Sequence, residues 1–351
     1  MRGGRAVWRA ASISLRPTLS RACLSPGPRP AALSSLLAVS LAAFGGGCSG
    51  GAVQVPPRDS GCGDARRLAA LPPELKEASG MIRDPRREDL FWLHNDSDND
   101  PALYLVDVEG HLVMSVEVSG GTNEDPEDLA LAECGDRWCL YLGDIGDNFG
   151  RRREIFVHRI LLPPLPTEAG RRGGSSPSSY GVGSVPRGEV AVERSFRLRY
   201  PDGPRDAESM IIDERTGQLI LISKGREGRV SMYAARLDAE GEEPITLRRI
   251  GSLRIPIGRS TSQYLTAADL SADGRQLAVR SYTTIFLFRW PGLSAFDTTA
   301  VPAAVSLAAA AEPQGEGLTF AADYGLIYLA SEGRLGRPQQ LSVVSCPARR
   351  P

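Results

Sequence analysis

The chain has 351 residues, 41 of them basic and 42 acidic. Six arginines and no acid fall in residues 1–47, so the remainder holds 35 basic against 42 acidic residues, a net of −7. That balance speaks against a nucleic-acid partner, which needs a clustered basic face. Three scattered histidines (His94, His111, His158) and the lack of C-x-x-C speak against zinc.

In chain order, residues 1–47 come first and read as a signal peptide. Residues 31–44, AALSSLLAVSLAAF, have the length of a secretory apolar core and are too short to span a bilayer comfortably. Small residues and Cys48 follow, which resembles a bacterial lipoprotein signal with Cys48 as the lipidated residue. The expected location is therefore the cell envelope, lipid-anchored, with a secreted or periplasmic protein as the alternative. Residues 48–67 are rich in Gly, Pro and Ser and read as a flexible tether.

From residue 68 to 351 one pattern recurs: an apolar strand, a turn signal, a second apolar strand and a polar cluster. The copies start at Glu77, Glu127, Glu208, Ala268 and Glu316. Their turns (DPRRED, CGDRWC, DERTG, ADG, ADYG) carry the Asp and Gly that tight hairpins need. Four-stranded antiparallel units repeated radially make an all-β propeller. Five blades are expected, with six as the alternative if residues 160–200 form their own sheet. A low-complexity insertion is placed at about 166–188. The last blade takes its first three strands from Glu316–Phe320, Leu326–Ser331 and Gln340–Val344, and its fourth from Arg66–Leu71. That closure leaves no exposed edge.

Beyond the signal region stand four cysteines, which allow three pairings. Cys134 and Cys139 flank a hairpin turn. Cys62 and Cys346 lie at the two ends that ring closure would join. The expected bridges are therefore Cys134–Cys139 and Cys62–Cys346.

The first strand of each blade lines the channel, so Glu77, Glu127, Glu208 and Glu316 should share one level of it, with Asp128 beside Glu127. The fourth copy has Ala268 there and Asp269 one step later. Second strands return to the same end and deliver His94, Asn95 and Asp96; Asp144, Asp147 and Asn148; Lys224; Arg280 and Tyr282; and Glu332. Converging carboxylates need a cation or a basic partner. Lys224 and Arg280 are candidates for the basic partner. Ca²⁺ or Mg²⁺ on Glu127, Asp144, Asp147 and Asn148 is the metal alternative, since hard cations take oxygen ligands. The blander reading is that the glutamates cap strand ends. GDIGDN lacks EF-hand spacing, and Gly47-Cys48-Ser49-Gly50-Gly51 matches G-x-S-x-G by chance, with no strand before it. His94 as a lone general base is weaker than His94 as a satisfied polar residue.

The segments WLHNDSDN, DPEDLAL with YLGDIGDN, and YPDGPRDAESMIID resemble a group of uncharacterised bacterial secreted or lipid-anchored propeller proteins. More loosely, residues 75–335 are similar to esterase-like phytase and TolB-like propellers. Where the group has tryptophan between acids, this chain has Pro126. The resemblance implies the fold and leaves the activity open. The expected function is a binding module for a small molecule or envelope protein, acting as a monomer through an acid-rich channel mouth. The alternative is a metal-assisted hydrolase of phosphoesterase or lactonase type.

Overall fold

A computed structural model of the protein describes residues 56–166 and 185–347, apart from 98, 239–242, 257–259 and 324. The expected signal peptide, the lipidation site Cys48 and most of the insertion lie outside the described residues.

The fold is all-β and is a β-propeller. Two strands, β1 (Arg58–Asp59) and β2 (Arg66–Ala70), precede the first repeat. The first blade runs β3 (Ala78–Arg83), β4 (Leu90–Asn95), β5 (Ala102–Asp107) and β6 (Leu112–Ser119). The second runs β7 (Pro126–Cys134), β8 (Arg137–Asp144), β9 (Ile155–Leu161) and β10 (Arg187–Arg199). In the third, β11 (Ala207–Asp213), β12 (Gln218–Ser223) and β13 (Val230–Arg236) are completed by β15 (Arg248–Leu253), while the two-residue β14 (Ile245–Thr246) pairs back onto β10. The fourth holds β16 (Leu265–Leu270), β17 (Gln276–Ser281), β18 (Thr284–Arg289) and β19 (Ala303–Ser306), with β1 added parallel to β19. The fifth holds β20 (Gln314–Phe320), β21 (Leu326–Glu332) and β22 (Gln340–Ser345), and β2 supplies its outer strand. The inner strands β3, β7, β11, β16 and β20 each pack on the next, and β20 packs on β3, which closes the ring.

The second strands show why the sequence reads as continuous apolar runs. In β12, Leu219 and Leu221 face one neighbouring blade while Ile220 and Ile222 face the other. In β8, Cys139 and Tyr141 pack towards the third blade, and Leu140 and Leu142 towards the first. Successive strand residues point to opposite faces, so a strand sandwiched between two blades must be apolar on both. Each such buried Leu or Ile contributes about 1.5–3 kcal/mol relative to exposure. The apolar clusters accordingly lie between blades, one at each junction of the ring.

Both disulfides join the expected cysteines, Cys62–Cys346 and Cys134–Cys139. One boundary differs from expectation. Residues 56–67, read as tether, belong to the domain: β1 pairs with β19, Cys62 is bridged, and β2 begins at Arg66. The insertion ends before Arg187, where β10 starts. That strand serves two blades: Arg187–Ala191 pair parallel with β6, and Val192–Leu198 pair antiparallel with β9. Residues 155–161 and 187–199 therefore complete the second blade and do not form a sheet of their own.

Candidate functional site: an acid-lined channel mouth

Each of the five inner strands carries a register shift against its second strand within its first few residues. A bulge inserts one residue and re-aims its side chain. In β7, β11 and β20 that residue is Glu127, Glu208 and Glu316. The equivalent place holds Ser79 in β3 and Thr266 in β16. The expected alignment is therefore corrected at two copies. Glu77 precedes its strand, is exposed, and accepts from Asn99 Nδ2 at 2.6 Å. Ala268 is a core residue two positions beyond Thr266. The two hydroxyls lock onto the next blade: Ser79 Oγ donates to Glu127 O (2.8 Å) and Thr266 Oγ1 to Gly315 O (3.0 Å).

The mouth thus gathers Glu127, Glu208 and Glu316, all buried. Asp125 and Asp206 stand two residues before the first two of these, and Asp96 and Glu332 arrive from second-strand ends. Burial raises the carboxyls of Asp96, Asp125, Glu127, Glu208, Glu316 and Glu332: Glu127 and Glu316 go well above the usual range, with Glu208 as the next cause for both. Glu208 and Glu332 are pushed up to about 7, Asp125 to about 6, and Asp96 is raised as well. Lys224, also buried, donates to Glu208; burial works against its charge, but Glu208 and Glu127 hold the ammonium protonated. Burial and then Glu316 raise the Tyr282 phenol. Arg226 pairs with Asp206 and also donates to Asn148 Oδ1.

Other expected members are placed elsewhere. Arg280 does not neutralise the mouth. It is fully buried between the fourth and fifth blades, donating to Gly317 O (2.7 Å), Ala330 O (3.2 Å) and Glu312 Oε2 (2.5 Å). Gly315 makes room for it, since a Cβ there would stand 1.7 Å from Arg280 Nη2. Asp269 lies at the other, hairpin-turn end of the inner strands, in a cavity of about 210 Å³ shared with Ile82, Asp213 and Phe320. Its carboxylate accepts from Leu270 N (2.8 Å), Thr319 Oγ1 (2.9 Å) and Phe320 N (2.9 Å), and burial raises it to about 6. Asp128 is a buried brace between blades, accepting from Leu129 N (2.9 Å), Met210 N (2.8 Å) and Ala268 N (3.5 Å).

His94 is a satisfied polar residue. Its Nδ1–H donates to Asn95 O (2.7 Å), so Nε2 is the acceptor, and it takes the N–H of Gly80 in the β3 bulge (3.1 Å). Burial lowers its pKa to about 4, leaving a neutral ring with its lone pair engaged. Asn95 spans Glu77 N (3.2 Å) and Glu74 O (2.9 Å).

The expected metal set comes apart. Asp144 is used by Asp125 N (2.9 Å), Thr122 Oγ1 and Arg152 Nη1 (2.8 Å). Burial opposes its charge, yet these partners hold its pKa below the ordinary value. Asp147 accepts from Arg151 N (2.8 Å) and Arg152 N (2.9 Å). Asn148 donates to Asp125 Oδ2 (3.3 Å). Of the four, Glu127 alone has carboxylates gathered around it that offer ligand atoms within 4.8 Å of one another: Asp96 and Asp125 on one side, Asp206 and Glu208 on the other. Asp125 and Asp206 were missed from the sequence, although D-x-E occurs in both DPED and RDAES. A third group, Asp107, Glu109 and His111, is a hairpin turn in which Asp107 Oδ1 accepts the N–H of Glu109 (3.0 Å) and His111 (2.8 Å).

No family model matches the chain, and no curated protein matches it. Among solved structures it is similar to a chain of a nidogen/laminin complex, 11% identical over 73% of each chain with a TM-score of 0.36. It is also similar to the β-propeller domain of Cps50 (Swd1) from Myceliophteria thermophila, 10% identical over 81% of this chain and 99% of that one with a TM-score of 0.38. Neither likeness is strong enough to carry an argument, and the fold rests on the strand topology itself.

Proposed function

We propose that the protein is a binding module whose channel mouth takes a positively charged group, presented as an amine or guanidinium by a small molecule or by an envelope protein. The observation that carries this reading is the imbalance at the mouth. Among the described residues, seven carboxylates (Asp96, Asp125, Glu127, Asp206, Glu208, Glu316, Glu332) gather there against two basic side chains bonded to them, Lys224 and Arg226, and two more nearby, Arg152 and Arg334. Burial and mutual repulsion are relieved by retained protons. A cationic ligand would replace those protons and so be favoured over water. The lipid anchor at Cys48 and the cell-envelope location belong to the same proposal, on the strength of residues 31–51.

The test is calorimetric titration of spermidine and of a lysine-rich peptide at pH 7 in two buffers of different ionisation enthalpy. Saturable binding with proton release, weakened by Glu316→Gln, is expected. Heats indistinguishable from sodium chloride at matched ionic strength would remove the reading. A second reading, metal-assisted hydrolysis, is favoured by one feature, the carboxylates around Glu127, and it requires a metal ion to be held there first.

A further inference from the structure

The two carboxylate groups around Glu127 are not equivalent. On one side Asp206 is engaged by Arg226 and by Asp147 N (3.0 Å), and Glu208 by Lys224. On the other side, among the described residues, Asp96 accepts from its neighbour Ser97 (N at 2.5 Å) and Asp125 from Asn148 (Nδ2 at 3.3 Å), with Lys224 and Arg152 acting on them from beyond ion-pair distance. No described basic side chain forms an ion pair with Asp96, Asp125 or Glu127. Glu127 is 5% exposed, and no described residue donates a hydrogen bond to its carboxylate. A carboxylate so nearly buried and without a donor is costly in its charged form, so it keeps a proton until a cation takes its place.

Its direction is set by the fold. The bulge in β7 turns Glu127 towards Asp125, and both carboxylates close over Gly146. A Cβ at Gly146 would stand 2.4 Å from Glu127 Oε1 and 2.6 Å from Asp125 Oδ2. Ligand oxygens from all three acids lie within 4.8 Å of one another. Oxygens on one Ca²⁺ sit about 2.3–2.6 Å from it, so two of them are at most about 5 Å apart. The spacing is close to what three oxygens on one such ion require, and the set offers only hard oxygen donors.

We propose that Asp96, Asp125 and Glu127 form a site for one divalent cation of the calcium type, with further positions open to water or ligand oxygen. This deepens the reading of the mouth as a cation receptor, and leaves Glu208, Glu316 and Glu332 for the organic cation. It also replaces the set of Glu127, Asp144, Asp147 and Asn148 expected from sequence, three of which are engaged elsewhere.

The experiment is titration of chelator-treated protein with calcium chloride and then magnesium chloride, at constant ionic strength, by calorimetry and by thermal unfolding. One saturable calcium site is expected, with a melting temperature that rises with calcium concentration. Glu127→Gln and Asp96→Asn should each weaken calcium binding by about tenfold or more, since affinity follows the ligand charge count. Gly146→Ala should do the same without altering charge, and Glu214→Gln, at the far end of the channel, should not. Absence of saturable calcium binding in the wild type, or binding that survives both Glu127→Gln and Asp96→Asn, overturns the proposal. Spermidine binding measured without calcium separates the outcomes: spermidine without calcium removes the metal site alone, and calcium without spermidine removes the organic-cation reading alone.

Discussion

Replacing Cys62 and Cys346 by alanine should be more damaging than replacing Cys134 and Cys139. The bridge links residues separated by 284 positions, whereas Cys134–Cys139 spans 5. In the chain-entropy account, closing a loop of that length restricts the unfolded chain by about 5–6 kcal/mol, against about 2 kcal/mol for the short one. Native contacts around the long bridge are specific: Gly63 N donates to Ser345 O (2.8 Å) and Cys346 N to Gly325 O (2.8 Å). Beside it, β2 is a mostly exposed five-residue strand held on β22. Loss of the bridge therefore also frees the strand that completes the ring. Guanidinium unfolding without reductant should show the Cys62/Cys346 double variant less stable than the Cys134/Cys139 double variant by about 2 kcal/mol or more. The slope against denaturant should also rise, because an uncrosslinked chain exposes more surface on unfolding. Equal losses for the two double variants, with unchanged slope, would refute the claim that closure depends on this bridge.

Three further outcomes are expected. Asp269, raised from 3.8 to about 6, favours the folded state when protonated, so its contribution is fully present below about pH 4 and is lost as pH rises through 6; two pKa units correspond to about 3 kcal/mol. Unfolding of Asp269→Asn from pH 4 to 7 should show a flatter decline than wild type, and parallel profiles would contradict the assignment. Glu312→Gln leaves Arg280 buried without its counter-ion and should cost about 3–5 kcal/mol in denaturant unfolding; the double change Arg280→Met with Glu312→Leu should cost less, and an equal or larger loss would show that the pair is not the issue. His94→Leu orphans the N–H of Gly80 and should cost about 1–3 kcal/mol, with calcium affinity within about threefold of wild type if the ring is structural.

The propeller was legible because its physics is repetitive. A strand buried on both faces must be apolar throughout, as in QLILIS, and a tight hairpin must carry Asp or Gly, as in DERTG. Those constraints are local, and they located β20, β21, β22 and the closing β2 to within two residues. Contacts across long separations were not legible. Arg280 looked like a free cation at a strand end because its partner Glu312 lies 32 residues on, in the segment leading into β20. The doubled role of β10 was hidden in the same way, since its first half pairs with a strand about 70 residues earlier.

The candidate site shows where a sequence pattern and a structural register diverge. Glu127, Glu208 and Glu316 aligned correctly because glutamate marks the bulge in three blades. Ser79 and Thr266 occupy the same place and carry no charge, so the alignment slid to Glu77 in the first copy and to Ala268, next to Asp269, in the fourth. A slide of one residue along a strand moves a side chain to the other face. Glu77 thus lies at an exposed position before β3, beside Asp96 and Glu332 but off the bulge, and Asp269 at the far end of the channel. What the register does repeat is chemical. Three bulges present carboxylates into the mouth, and the other two present hydroxyls that tie one blade to the next. Charge therefore collects on the second, third and fifth blades, while Asp96 from the first reaches Asp125 and Glu127. A mouth charged all round would repel itself in every direction. One whose acids converge on Glu127, with Lys224 on Glu208 and no described basic side chain in ion-pair contact with Asp96 or Asp125, is where the proposed dication would relieve the most repulsion.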